Sequence, residues 1–170
     1  MAIEIAHNHP GSLPFVEAVG KLIQNMGMIE FQTYEWISIL QEDPMVLELA
    51  RRSRLRDRIE IIRKMISRAD FLSEAEVTEY RELWASVVQH SEIRNIVAHN
   101  GTMMGFPNND ASQAPHVIGV MNFKPRDKRR EAELVSVDEI NGSVNATYQV
   151  GIRLLELGKA LAERKSDVVA

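Results

Sequence analysis

Cysteine is absent from this chain of 170 residues. Its absence excludes a disulfide framework, a thiolate nucleophile, and any zinc or iron–sulfur site built on sulfur. Long hydrophobic runs are also missing, since no stretch approaches the ~18 consecutive apolar residues of a membrane span. The opening MAIEIAHNHPGS has no basic segment followed by an apolar one, so it does not read as a secretory signal. These absences together lead to the expectation of a cytoplasmic protein with no membrane partner. Gly-rich phosphate loops, a nucleophile elbow and paired aspartate motifs are lacking as well. The only Glu-x-x-His, Glu4–His7, lies in a polar arm, where a di-iron bundle would need the motif repeated within helices. His7 and His9 in that arm read as mobile and polar, and no resident metal or cofactor is expected.

What is present has the balance of a globular domain: 45% hydrophobic and 26% charged residues. A chain of this length fits one domain and buries roughly two-thirds of its unfolded surface without a metal or disulfide staple. The net charge of -4 and a pI of about 5.8 argue against coating nucleic acid through overall charge.

Punctuation along the chain outlines a helical bundle. Residues 1–12 form an arm ending in the turn pair Pro10-Gly11, and residues 13–166 read as a single domain. Ser12 is placed as an N-cap, with Pro14 in the first turn. Apolar steps from Val19 through Ile23, Met26, Thr33, Ile37 and Leu40 define a helical face that Glu30 interrupts, and Asp43-Pro44 ends the helix. A second helical region covers about 45–69, with a break near Ser53. A third begins at the capping box Ser73–Glu76 and runs to Asn100, with Gly101 as a left-handed stop. Residues 101–115 are rich in turn formers and read as a loop. Residues 116–123 and 132–136 could pair as a hairpin around a charged tip. The last helix starts at Ser136, with Glu139 completing another capping box, and reaches about Lys165. The expected fold is thus an all-α antiparallel bundle of four or five helices, with a short hairpin before the last. Gly20 and Gly27, like Gly151 and Gly158, recur at heptad spacing, which suits either close packing of the first helix on the last or a dimer seam.

Chemistry concentrates in the segment 91–101, SEIRNIVAHNG. Asn95 and His99 are four apart and share a helical face, while Arg94 lies about 140° from His99 at about 100° per residue. His99 falls in the last turn, where the negative helix end favours imidazolium. Read alone, this is a helix-end histidine beside a surface arginine. The string Arg-Asn-Ile-Val-Ala-His-Asn, however, resembles the Arg-x4–6-His signature of the HEPN superfamily, often written Arg-Asn-x-x-Ala-His-Gly at the end of a long helix. Asn100 stands at the usual glycine position here, with Gly101 one later. Gly20-Lys21-Leu22-Ile23 followed by Glu30 is similar to the opening helix of bacterial proteins that carry such a motif.

The resemblance implies metal-independent cleavage of RNA at a cleft where two such helices meet in a homodimer. His99 would serve as general acid or base, Arg94 would stabilise charge on the reacting phosphate, and Asn95 would orient His99 or bind phosphate. It also implies a toxin or defence setting, with RNA and a cognate antitoxin or nucleotidyltransferase as partners. A noncatalytic HEPN-like module for protein or nucleotide binding is the alternative. Glu30 either pairs with Arg94 in the interior or lies at an edge and pairs elsewhere.

Basic charge is uneven. Residues 51–68 hold eight basic side chains against Asp57 and Glu60, a net of +6 that leaves −10 for the rest. Arg51, Arg52, Arg54, Arg56 and Arg58 are the candidate phosphate contacts, arginine being suited to bidentate recognition. A second basic knot, residues 124–131, carries +3. Neither knot contains an aromatic side chain, so stacking of single-stranded bases is not indicated there. Both also fit solvated, ion-paired surface.

Overall fold

Asp43-Pro44, read from sequence as a terminator, both separates two helices and starts the second. The first helix, α1, runs Leu13–Leu40. Asp43 Oδ1 then accepts the Met45 N–H at 2.8 Å and caps α2, Pro44–Arg52, with proline at its first position. Ser53 and Arg54 are both extended, which makes the expected break before α3, Leu55–Ile66. The Ser73–Glu76 box forms reciprocally: Ser73 N–H donates to Glu76 at 2.9 Å and Glu76 N–H to Ser73 Oγ at 3.3 Å. It opens α4, Glu74–His99. Three strands follow, β1 Thr102–Gly105, β2 Val117–Asn122 and β3 Glu133–Ser136, then α5, Val137–Val169. The Glu139 N–H donates to Ser136 Oγ at 3.2 Å, as the second box requires. The computed structural model describes residues 12–105, 117–122, 124 and 132–169. The arm, its Pro10-Gly11 turn, and the charged tip beyond Lys124 lie outside the described residues.

The chain is therefore mainly helical, with five helices and a small antiparallel sheet. The hairpin is present as β2 and β3, paired Gly119↔Ser136 to Asn122↔Glu133. The expected loop is corrected in part, because residues 102–105 form β1 against β2, from Thr102↔Val120 to Gly105↔Val117. β2 is thus the central strand. Gly119 sits where a Cβ would lie 2.6 Å from the Val135 carbonyl oxygen, so only glycine lets β2 approach β3 this closely. Gly101 is not in the left-handed region. Asn100 ends α4 instead, both its backbone N–H and its Nδ2 donating to the Ile96 carbonyl, at 3.1 and 2.8 Å.

Two compact units emerge from the contacts, and α1, α4 and α5 each contribute to both. The first holds residues 1–24 and 90–146. Its described core is Phe15, Ala18, Leu22, Ile93, Ile96, Val97, Val120, Val135 and Ile140. The second holds residues 25–89 and 147–170. Within it α5 runs parallel to α1: Asn25 bonds Thr147, Gln32 bonds the Gly151 carbonyl, and Trp36 bonds the Leu154 carbonyl. α4 runs antiparallel to α5, with Glu79 paired to Arg153 at 2.7 Å and Glu76 to Arg164 at 2.8 Å. The expected wholly antiparallel bundle is corrected in this respect.

The buried face of α1 is also rotated from the expected one. Phe15, Ala18, Leu22, Met26, Ile29, Thr33, Trp36 and Ile37 are buried; Met26, Thr33 and Ile37 are on the expected face, whereas Ile23 is 47% exposed. Gly158 serves packing, because a Cβ there would meet Trp36 Nε1 at 3.0 Å, whereas one on Gly151 would make only an ordinary contact with Ile29 at 3.6 Å. Gly20 and Gly27 face open space, so the reading of all four as one seam between the first and last helices does not hold.

Candidate functional site

In the last three turns of α4 the apolar residues Ile93, Ile96 and Val97 turn into the first unit's core. Their spacing leaves the polar residues on the two flanks of that ridge. Asn95 and His99 emerge together on one flank, both exposed. Arg94 leaves on the other flank, about 140° from His99, and is half-buried. A single copy of α4 therefore presents Asn95 with His99 and turns Arg94 away from them. Asn100 is half-buried at the helix end, and the Met121 N–H donates to the Gly101 carbonyl at 3.3 Å, tying that end to β2.

Beside the Asn95 flank lies an open recess of about 330 Å³ lined by Glu92, Asn95, Ile96, Asn100, Asn122 and Lys124. Every lining residue belongs to the first unit. Asn122 is 4% exposed, and its Oδ1 accepts the Lys124 N–H at 3.0 Å. Of these residues, Glu92 and Asn122 are not among the candidates drawn from sequence. Glu92 stands three residues before Asn95 and so shares its face, a local signal that was there to find. Asn122 had none, because only the pairing of β2 with its neighbours carries it to the helix end.

His90, half a turn off the His99 face, is structural. Its Nδ1 shares a hydrogen bond with Ser143 Oγ at 3.2 Å, joining α4 to α5, and burial pushes the imidazole below its ordinary pKa. A histidine with a depressed folded pKa binds fewer protons when folded than when unfolded, so stability is full above the ordinary value of 6.5 and falls as the pH drops below it. Urea midpoints are expected to decline between about pH 7.5 and 5.5, and His90→Gln to flatten that slope. An unchanged slope in the variant would assign the acid sensitivity to other groups.

The second unit holds the remaining candidates. Glu30 Oε2 pairs with Arg58 Nη2 at 3.6 Å, which is pairing with a residue other than the arginine of the motif. Arg58 itself requires correction as a phosphate contact. Its side chain is only 5% exposed. Its Nε donates to Thr33 Oγ1 at 2.8 Å, its Nη1 to Tyr34 OH at 2.9 Å and to the Ser53 carbonyl at 2.8 Å. Arg51 and Arg52 are 73% and 78% exposed and share Glu48 at 3.8 and 2.8 Å. Arg54 and Arg56 are exposed.

Among the described residues no group of three or more His, Asp or Glu side chains could hold a metal, and no helix is long and apolar enough to cross a membrane. His7 and His9 lie outside them. Fold and site together define a mainly helical protein with polar residues gathered where a long helix meets a small sheet. No protein-family model matches the chain, and no curated protein or solved structure matches it.

Proposed function

We propose that this chain is a HEPN-like ribonuclease that cleaves RNA without a metal at a cleft completed by a second copy. One observation carries the reading: the exposed His99 and Asn95 share one flank of the α4 terminus while Arg94 leaves on the other. That separation on one helix suits a site to which two copies each contribute one element of the motif. In a two-fold dimer, His99 of one copy and Arg94 of the other face the same phosphodiester.

RNA brings its own nucleophile. His99 takes the proton from the 2′-hydroxyl or delivers one to the departing 5′-oxygen, as an imidazole can do in either direction. The 2′-oxygen bonds to phosphorus as the 5′-oxygen leaves, giving a 2′,3′-cyclic phosphate and a 5′-hydroxyl. Arg94 neutralises the charge that builds on the phosphate oxygens, where its fork of donors fits. Asn95 holds the phosphate or the imidazole in place. Arg51, Arg52, Arg54 and Arg56 supply separate phosphate contacts from the second unit, which makes affinity fall steeply with salt. A cytoplasmic toxin or defence role, checked by a cognate antitoxin or nucleotidyltransferase, fits such an activity.

The test is incubation with RNA in EDTA, followed by end-group analysis. Cyclic-phosphate and 5′-hydroxyl ends are expected. His99→Ala should lower the rate by about 10²–10⁴-fold. Cleavage by His99→Ala at the parent rate would falsify the assignment. A dimer that binds RNA or nucleotide and leaves it intact is the noncatalytic HEPN-like module.

A further inference from the structure

We infer that the recess beside α4 is a guanine-binding pocket, so that the chain selects a guanosine next to the phosphate it acts on. The inference rests on the RNA reading only for the polymer that carries the base.

The hydrogen-bonding directions inside the recess are set by its own partners. A backbone N–H can be accepted only by an amide oxygen, so the Lys124 N–H fixes Asn122 with its Nδ2 protons left to donate. A carbonyl can be met only by an amide nitrogen, so the Ile96 carbonyl fixes Asn100 with its Oδ1 left to accept. Asn122 is almost fully buried while lining the recess, so its amide is held in place by its surroundings. Around this pair stand the Glu92 carboxylate, the Lys124 ammonium, the adaptable Asn95 amide and the apolar side chain of Ile96.

One acid against one base leaves no net charge, so a bare phosphate meets a carboxylate and a bare cation meets an ammonium. A neutral planar ligand with donors and acceptors on its edges satisfies all of these groups. Among the four RNA bases, guanine alone presents two adjacent donors, N1–H and the N2 amino group, that match a carboxylate. It also presents two adjacent acceptors, O6 and N7, for a cation and an amide donor. Glu92 takes the first edge, Lys124 and Asn122 the second, and Ile96 covers a ring face. The recess volume of about 330 Å³ holds one base, and Asn95 lies on the same flank as His99.

The experiment is a titration of the full chain with 3′-GMP, 3′-AMP, 3′-CMP and 3′-UMP, followed by NMR or calorimetry. 3′-GMP should bind about ten-fold or more tightly than the others, and Glu92→Gln, at an exposed position, should abolish the preference. Lys124→Ala should weaken 3′-GMP while sparing the fold. Equal binding of all four nucleotides, binding of none, or an unchanged preference in Glu92→Gln overturns the pocket. Guanine selectivity without RNA cleavage leaves the pocket standing and removes the nuclease. His99-dependent cleavage with no selectivity in the titration does the reverse.

Discussion

Replacing Trp36 by alanine is expected to lower the unfolding free energy by about 4 kcal/mol, a loss readable as a shift in the urea midpoint at constant slope. Trp36 is 1% exposed and lies between three helices of the second unit. Its ring meets Tyr80 edge-on with centroids 5.2 Å apart and Trp84 with centroids 5.6 Å apart. Its Nε1 donates to the Leu154 carbonyl at 3.1 Å, and Gly158 leaves the space the indole fills. Truncation would open a cavity of indole size, undo two edge-to-face contacts of about 1 kcal/mol each, and remove the buried hydrogen bond. For a chain of this size the melting temperature should fall by roughly 8–16 °C. Trp36→Phe keeps a ring and loses the N–H, so it should cost less than half as much. Alanine costing under about 1 kcal/mol would show that α1 and α5 are not held together here.

Local signals were legible in the sequence because their physics is local. Ser73 with Glu76 and Ser136 with Glu139 each satisfy helix-end donors within four residues, so both boxes could be read directly. The break at Ser53 was legible too, for the following charged run restarts a helical pattern. The face of α1 was misphased by about 60° because that helix is apolar on opposite sides. Leu13, Val16, Ile23 and Phe31 are exposed, and a periodicity drawn through Val19 and Ile23 follows the flank of the true core face. β1 is not legible from sequence because four residues that follow Gly101 and end in Gly105 show too little alternation to be distinguished from a turn.

The candidate site divides along the same line. Asn95 and His99 share a face because of helix geometry alone, so their pairing needed no tertiary information. Asn122 reaches the recess through strand register, which pairs residues distant in sequence and leaves no local pattern to read. The parallel course of α1 and α5 is likewise a tertiary fact, carried by Trp36, Gln32 and Asn25 rather than by any local pattern.

The arginine-rich segment is where composition misled, and it supports the second large prediction. Five arginines at 51, 52, 54, 56 and 58 read as one solvated stripe, yet the α2–α3 break turns Arg58 inward while Arg51, Arg52, Arg54 and Arg56 stay exposed. Inside, its guanidinium caps the break by bonding the Ser53 carbonyl, holds α1 through Thr33, Tyr34 and Glu30, and lies 4.5 Å over the Tyr34 ring. Arg58→Ala should therefore lower stability by about 3 kcal/mol, because Thr33, Tyr34 and Ser53 each lose a charged donor and Glu30 loses one ion pair. Arg51→Ala, at a 73% exposed pair, should cost no more than about 0.5 kcal/mol. Arg58→Lys should recover little, since an ammonium cannot span four partners arranged for a planar fork. Under the proposed RNA-binding role, affinity for RNA should respond in the opposite order. Arg51→Ala and Arg52→Ala should weaken it and reduce its salt dependence, while an Arg58→Met variant that remains folded should bind as the parent does. Equal loss of RNA affinity in a folded Arg58→Met would return that arginine to the phosphate-binding surface.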